Sequence, residues 1–139
     1  MLQVTVWSYN VVRWLTVWSS LCCAETWEVV FALDDSSNVQ QSEWSAMLTF
    51  INSYIDQVVI GFGNIRISVV RYSSTRSTSV AFGLNEYRSA GELKTAISRL
   101  GHFSQSSERN LAEAFRITLW QILPETQQRY FASKVTISY

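Results

Sequence analysis

Cysteine is nearly absent from this 139-residue chain, with only Cys22 and Cys23, which are adjacent. Neighbouring cysteines rarely bridge each other, because a disulfide needs separated Cα atoms, so no cross-linked framework is available. His102 is the only histidine and no second cysteine pair occurs, which excludes a structural zinc site of the usual ligand spacing. The single proline, the five glycines and the lack of a Gly-x-y period exclude a collagenous segment within the chain. No Asn-x-Ser/Thr glycosylation sequon occurs either. Charge is scarce at 16%, and eleven basic residues balance eleven acidic ones. Such a surface has no long-range field to draw it to phosphate backbones or anionic lipid, so nucleic acid is not an expected partner. Also missing is an apolar run of about 20 residues, the length a membrane span needs.

Apolar residues, at 47%, are abundant enough to pack one core, and the length fits one domain. The first two dozen residues read differently from the rest. Val11, Val12, Trp14, Leu15, Val17, Trp18 and Leu21 form an apolar stretch that ends in the small residues Cys22-Cys23-Ala24. This pattern predicts a signal peptide over 1–24 with cleavage after Ala24, leaving 25–139 as the domain. An alternative is an N-terminal strand over Gln3-Val4-Thr5-Val6-Trp7.

From Trp27 onward the pattern is regular. Glu28 to Leu33 is a near-continuous apolar run, suited to a strand buried on both faces, and it stops at the polar loop Asp34 to Asn38. Trp44, Met47, Leu48, Ile51, Ile55 and Val58 then recur at helical spacing, with Ser42 as the expected N-cap. Gly61 to Asn64 predicts a turn, Ile65 to Tyr72 a second strand and Thr78 to Leu84 a third. Gly61 and Gly63 follow a helix and open a strand, and Arg66 stands where a third glycine would belong, so they are no dinucleotide fingerprint. Leu93, Ala96, Ile97 and Leu100 mark a second helix, and Leu111, Phe115, Leu119 and Ile122 a third, closed by Pro124. Lys134 to Tyr139 is expected to be a last strand. Strands alternating with helices predict an α/β fold, a doubly wound, mostly parallel sheet with helices on both faces.

In such a sheet ligands bind outside the carboxyl ends of the strands, where the loop Asp34 to Asn38 falls. Carboxylate and hydroxyl oxygens spaced one residue apart can converge on magnesium, yet Asp and Ser are equally ordinary turn and cap residues. His102 near Ser104 would be a base beside a nucleophile, but no third orienting group is identifiable.

The stretch Phe31-Ala32-Leu33-Asp34-Asp35-Ser36-Ser37-Asn38-Val39 resembles the von Willebrand factor A motif around its metal-ion-dependent adhesion site. Ile60-Gly61, Arg66 and Val69-Val70-Arg71-Tyr72-Ser73 resemble that family's second strand. Phe82, Leu84, Tyr87, Leu93, Ala96, Ile97 and Leu100 match residue kinds of its collagen VI-type members. The resemblance implies a metal site of Asp-x-Ser-x-Ser, a later threonine and a final aspartate. By position, Asp34 and Ser36 match, Asn38 replaces the second serine, and Ser107, or Ser106 one residue earlier, replaces the threonine. The final aspartate has no counterpart before Tyr139, so the resemblance implies a domain incomplete at its C-terminus. It also implies an unpaired outer edge on the Lys134–Tyr139 strand and hence self-association. The expected function is a secreted extracellular-matrix and cell-adhesion module that binds matrix proteins such as collagens, with magnesium as an implied cofactor. A metal-free assembly module is the alternative, and a hydrolase or phosphotransferase on the same scaffold a more distant one.

Overall fold

The computed structural model describes residues 3–7, 27–61, 63–103, 106–122, 124 and 133–138, the strands at 3–7 and 133–138 by their backbone. Residues 8–26, with Cys22, Cys23 and the expected cleavage position after Ala24, lie outside the described residues, as do Ser104 and Tyr139. The elements run β1 (Gln3–Trp7), β2 (Trp27–Asp34), α1 (Gln41–Gln57), β3 (Ile65–Tyr72) and β4 (Ser79–Phe82). There follow α2 (Ala90–Ser98), α3 (Leu111–Ile117), a π-helical turn (Thr118–Ile122) and β5 (Ser133–Ser138).

The sheet order is β1-β5-β2-β3-β4. Its centre, β5-β2-β3, is parallel, and β1 and β4 are antiparallel strands at the two edges. Every residue of β2 from Glu28 to Asp34 is buried, as a strand covered on both faces must be. Alternation then sorts side chains between two cores. Val29, Phe31 and Leu33 join Ile65, Ile67 and Val69 under α1 and α2, where Trp44, Met47, Ile51, Ile55, Leu93 and Ile97 pack against them. Val30, Ala32, Val70 and Tyr72 face the other way and meet Ala114, Ile117 and Ile122 from the α3 region. The doubly wound α/β architecture is therefore present, with helices on both faces. Between α1 and β3 the chain turns at Gly61, whose φ of 154° is a setting that side-chain-bearing residues rarely adopt.

Three expectations change. The N-cap of α1 is Gln40, not Ser42, and the Glu43 carboxylate accepts the Gln40 N–H at 2.7 Å. A helix starts where the first free N–H groups find acceptors, and Glu43 supplies one by reaching back. The buried face of the third helix is Ala114, Ile117, Thr118 and Ile122, whereas Leu119 is exposed. Thr118 tolerates burial because its hydroxyl donates to the Ala114 carbonyl at 2.8 Å, and the π-helical turn shifts the register beyond it. Finally, the outer edge of β5, expected to be unpaired, carries β1 in antiparallel register from Gln3↔Ser138 to Trp7↔Lys134. Gln3-Val4-Thr5-Val6-Trp7 is rich in β-branched and aromatic residues, which suit a strand. Its backbone supplies the hydrogen-bonding partners that an open edge lacks.

Candidate functional site

Two loops meet at the carboxyl ends of β2 and β3. The first, after β2, contains Asp35 to Val39; the second connects α2 to α3. They are pinned together by backbone as well as side chains. Ser37 N–H donates to the Ser106 carbonyl at 2.8 Å, and the Asn38 amide donates to the Ser107 carbonyl at 3.0 Å. The His102 Nε2–H donates to the Ser36 carbonyl at 2.9 Å. Asn110 N–H closes the far side onto the Ser73 carbonyl at 2.7 Å, past the end of β3.

Trp44 of α1 holds the second loop from below. It is 1% exposed, its Nε1–H donates to the Leu100 carbonyl at 3.0 Å, and its ring stacks on His102 at 5.3 Å. His102 is thus held by a backbone acceptor and an aromatic face, and its Nε2 lies 3.7 Å from Asp35 Oδ1. Its supposed partner Ser104 lies outside the described residues.

All four residues expected to face a metal are brought to this pair of loops. Asp34 is buried, and its Oδ1 accepts the Ser36 N–H at 2.9 Å. Ser36 is 0% exposed. Asn38 and Ser107 lie at the surface beside each other. Ser106, the alternative to Ser107, uses its hydroxyl to accept the Glu108 N–H at 3.2 Å.

Two arginines that the motif does not include dominate the electrostatics. Arg71 pairs with Asp35 at 2.6 Å, and its guanidinium lies 5.5 Å from the Trp44 ring and 5.4 Å from that of Phe103. Phe103 is 73% exposed and folds back over Gly101, where a Cβ would fall 2.2 Å from its ring. Arg109 Nε–H donates to Asp34 Oδ2 at 2.8 Å and also reaches Ser36 Oγ at 3.3 Å. Tyr72, beside this pair, has its phenol pushed up to about 12, chiefly by burial and then by the Asp34 charge, with Arg109 acting in the opposite direction.

The arrangement tests the implied metal directly. A divalent cation needs lone pairs from Asp34 and Ser36, yet a guanidinium N–H already bridges those two side chains. Among the described residues no group of three His, Cys, Asp or Glu side chains gathers for a metal. As arranged, the donor set does not fit magnesium. The family resemblance identified Asp34 and Ser36 but not Arg109, although a cation two residues beyond Ser107 was the available signal.

Comparison with known proteins agrees with this fold. The profile of the von Willebrand factor type A domain matches residues 28–138. Matrilin-3 of Mus musculus is 32% identical over 94 residues, which are 68% of this chain and 19% of that protein. The collagen alpha-5(VI) chain of Mus musculus is 32% identical over 77 residues, 54% of this chain and 3% of that one. The chain therefore spans only a small part of the length of these relatives. Among solved structures, proximal thread matrix protein 1 from the mussel byssus, with a zinc-occupied MIDAS motif, superposes with a TM-score of 0.67 at 19% identity. That match covers 76% of this chain and 27% of the other and shows a shared fold. With the profile matched over most of its length, and with sheet and helices on both faces arranged accordingly, the chain belongs to the von Willebrand factor type A domain family.

Proposed function

We propose that this domain is a secreted, non-catalytic module of the extracellular matrix that binds other matrix proteins, collagens among them, through the paired loops above β2 and β3. The carrying observation is the division of labour within those loops. Asp34, Asp35 and Ser36 are buried and hold the shape, while Asn38, Phe103, Ser107 and Arg109 are exposed on the same side. A rigid base with an exposed aromatic and an arginine is the composition of a protein-binding surface. Matrilins and collagen VI chains, the relatives found, are extracellular matrix proteins, which supports the setting.

Surface plasmon resonance on immobilised collagen VI and fibrillar collagens tests the reading. Saturable binding by the chain is expected, with at least about a tenfold loss in Arg109→Glu and Phe103→Ala if these exposed groups anchor the contact. Equal binding by both variants would move the site elsewhere, and no binding to any matrix protein would end the proposal. Asp34 and Asp35 each sit against an arginine, so phosphatase and esterase screens are expected to be blank.

Secretion through cleavage after Ala24 is part of the proposal, and it has a structural consequence because β1 lies within 1–24. Cleavage removes β1 and exposes the outer edge of β5, which then favours association with another strand. Mass spectrometry of secreted protein is expected to find Glu25 at the N-terminus. Size-exclusion chromatography is expected to show more association for 25–139 than for 1–139. An uncleaved secreted chain, or two identical profiles, would overturn the respective step.

A further inference from the structure

The pairing of Arg109 with both Asp34 and Ser36 goes beyond a surface ion pair. Asp34 has two carboxylate oxygens, and both are used: Oδ1 by the Ser36 N–H and Oδ2 by Arg109 Nε–H. The same Nε–H also points to Ser36 Oγ, a hydroxyl with no exposed surface. Positive charge therefore already sits where the carboxylate and hydroxyl converge. Asp35 is balanced in the same way by Arg71, so the two carboxylates of the loop are matched by two guanidinium groups. A divalent ion entering here would displace one donor and be repelled by what remains. Arg109 is half-exposed, with its side chain 56% accessible, and it comes from the second loop, so it can swing away without disturbing β2.

We propose that Arg109 is a resident cation: its guanidinium takes the place of a divalent metal between Asp34 and Ser36, so that the loop face keeps its shape without metal. Asp34 is the anion it neutralises, Ser36 the hydroxyl it caps. The corollary is that removing Arg109 converts the same two loops into a divalent-cation site. Asp34 would then carry an unbalanced charge at the carboxyl end of β2, beside the hydroxyl of Ser36. The inference uses the loop face of the proposed function only for its location and makes no use of a matrix partner, so either can fail alone.

The test uses the full chain and manganese or magnesium alone as the probe. Isothermal titration and manganese electron paramagnetic resonance are run on the wild type, Arg109→Ala, Arg109→Lys and the double variant Arg109→Ala/Asp34→Asn. Thermal unfolding is followed with and without metal. The wild type and Arg109→Lys, which keep the charge, are expected to show no metal-dependent shift. Arg109→Ala is expected to bind manganese about tenfold or more tightly than the wild type, as removal of a like charge a few ångströms away predicts. Its unfolding midpoint should rise with metal, and the double variant should lose both gains. Should Arg109→Ala fold only when manganese is added, that rescue supports the inference equally. Wild-type binding as tight as that of Arg109→Ala would overturn it. So would a folded Arg109→Ala, verified by circular dichroism, that gains no affinity, or an unfolded one that manganese does not rescue.

Discussion

One carboxylate near each end of β2 pairs with an arginine, and the two pairs differ in almost everything but chemistry. At the base, Glu28 and Arg66 stand directly opposite each other in the β2–β3 register, with side chains 0% and 6% exposed. Arg66 also donates to the Asn85 side chain. At the top, Asp34 is 9% exposed while Arg109 is 56% exposed and belongs to a loop. The basal pair is held by the sheet itself, so a one-residue slip of β2 against β3 would separate its charges within the interior. It therefore specifies register. The top pair is held by loop docking, and water reaches its guanidinium, so it can exchange partners. Burial, not residue identity, separates a pair locked into the sheet from a pair held by loops.

The largest expected effect comes from breaking the basal pair. Arg66→Ala leaves Glu28 as a buried uncompensated charge, which costs about 3–5 kcal/mol in denaturant unfolding. Glu28 Oε2 has no hydrogen-bond partner among the described residues. The double change Glu28→Leu/Arg66→Met is expected to restore most of the loss. If the single and double variants are equally unstable, packing rather than charge is what the pair supplies.

Arg71→Ala comes next. Its pair with Asp35 is mostly buried, and the guanidinium lies against Trp44 and Phe103, so a loss of about 2 kcal/mol is expected for a charge-assisted hydrogen bond. A loss near that of Arg66→Ala would place this pair with the architecture instead. Arg109→Ala should cost only about 1 kcal/mol without metal, as befits a largely exposed partner. A value rivalling Arg66→Ala would erase the distinction drawn between the two ends.

The smallest effect concerns pH. Tyr72 ionises near 10.0 when unfolded and about 12 when folded, so its folded pKa is raised. A raised value means its contribution is fully present below pH 10 and is lost as pH rises through about 12. Ultraviolet difference titration of the wild type against Tyr72→Phe should show the extra phenol ionising in that window. In Arg109→Ala the transition should move higher still, since the guanidinium is the group that lowers it. No movement would mean that Arg109 does not sit beside Tyr72 in solution.

Much of this molecule was legible in advance where one physical signal dominated. The run Glu28 to Leu33 suited a doubly covered strand, and the Trp44-Met47-Ile51-Ile55 spacing suited a helix with one face turned to it. The third helix was less legible because its stripe mixed an apolar residue that ends exposed, Leu119, with a polar one that ends buried, Thr118. Periodicity weighs side chains by polarity and cannot see that a hydroxyl bonds back to its own helix. The candidate site was legible by half: Asp34 and Ser36 match the family motif they resemble, whereas the role of Arg109 depends on how the second loop docks.

The sequence by itself determined the elements from β2 to α3, the two-sided burial of β2 and the placement of a carboxylate–hydroxyl loop at its carboxyl end, because hydrophobic period and local turn chemistry act over a few neighbouring residues. Tertiary structure alone decided which charge meets which carboxylate. Arg109 lies 73 residues from Ser36 along the chain and reaches it only after α2 and α3 have packed on opposite faces of the sheet. Coulomb attraction and hydrogen bonding are set by distance in space, and no spacing along the chain encodes that distance.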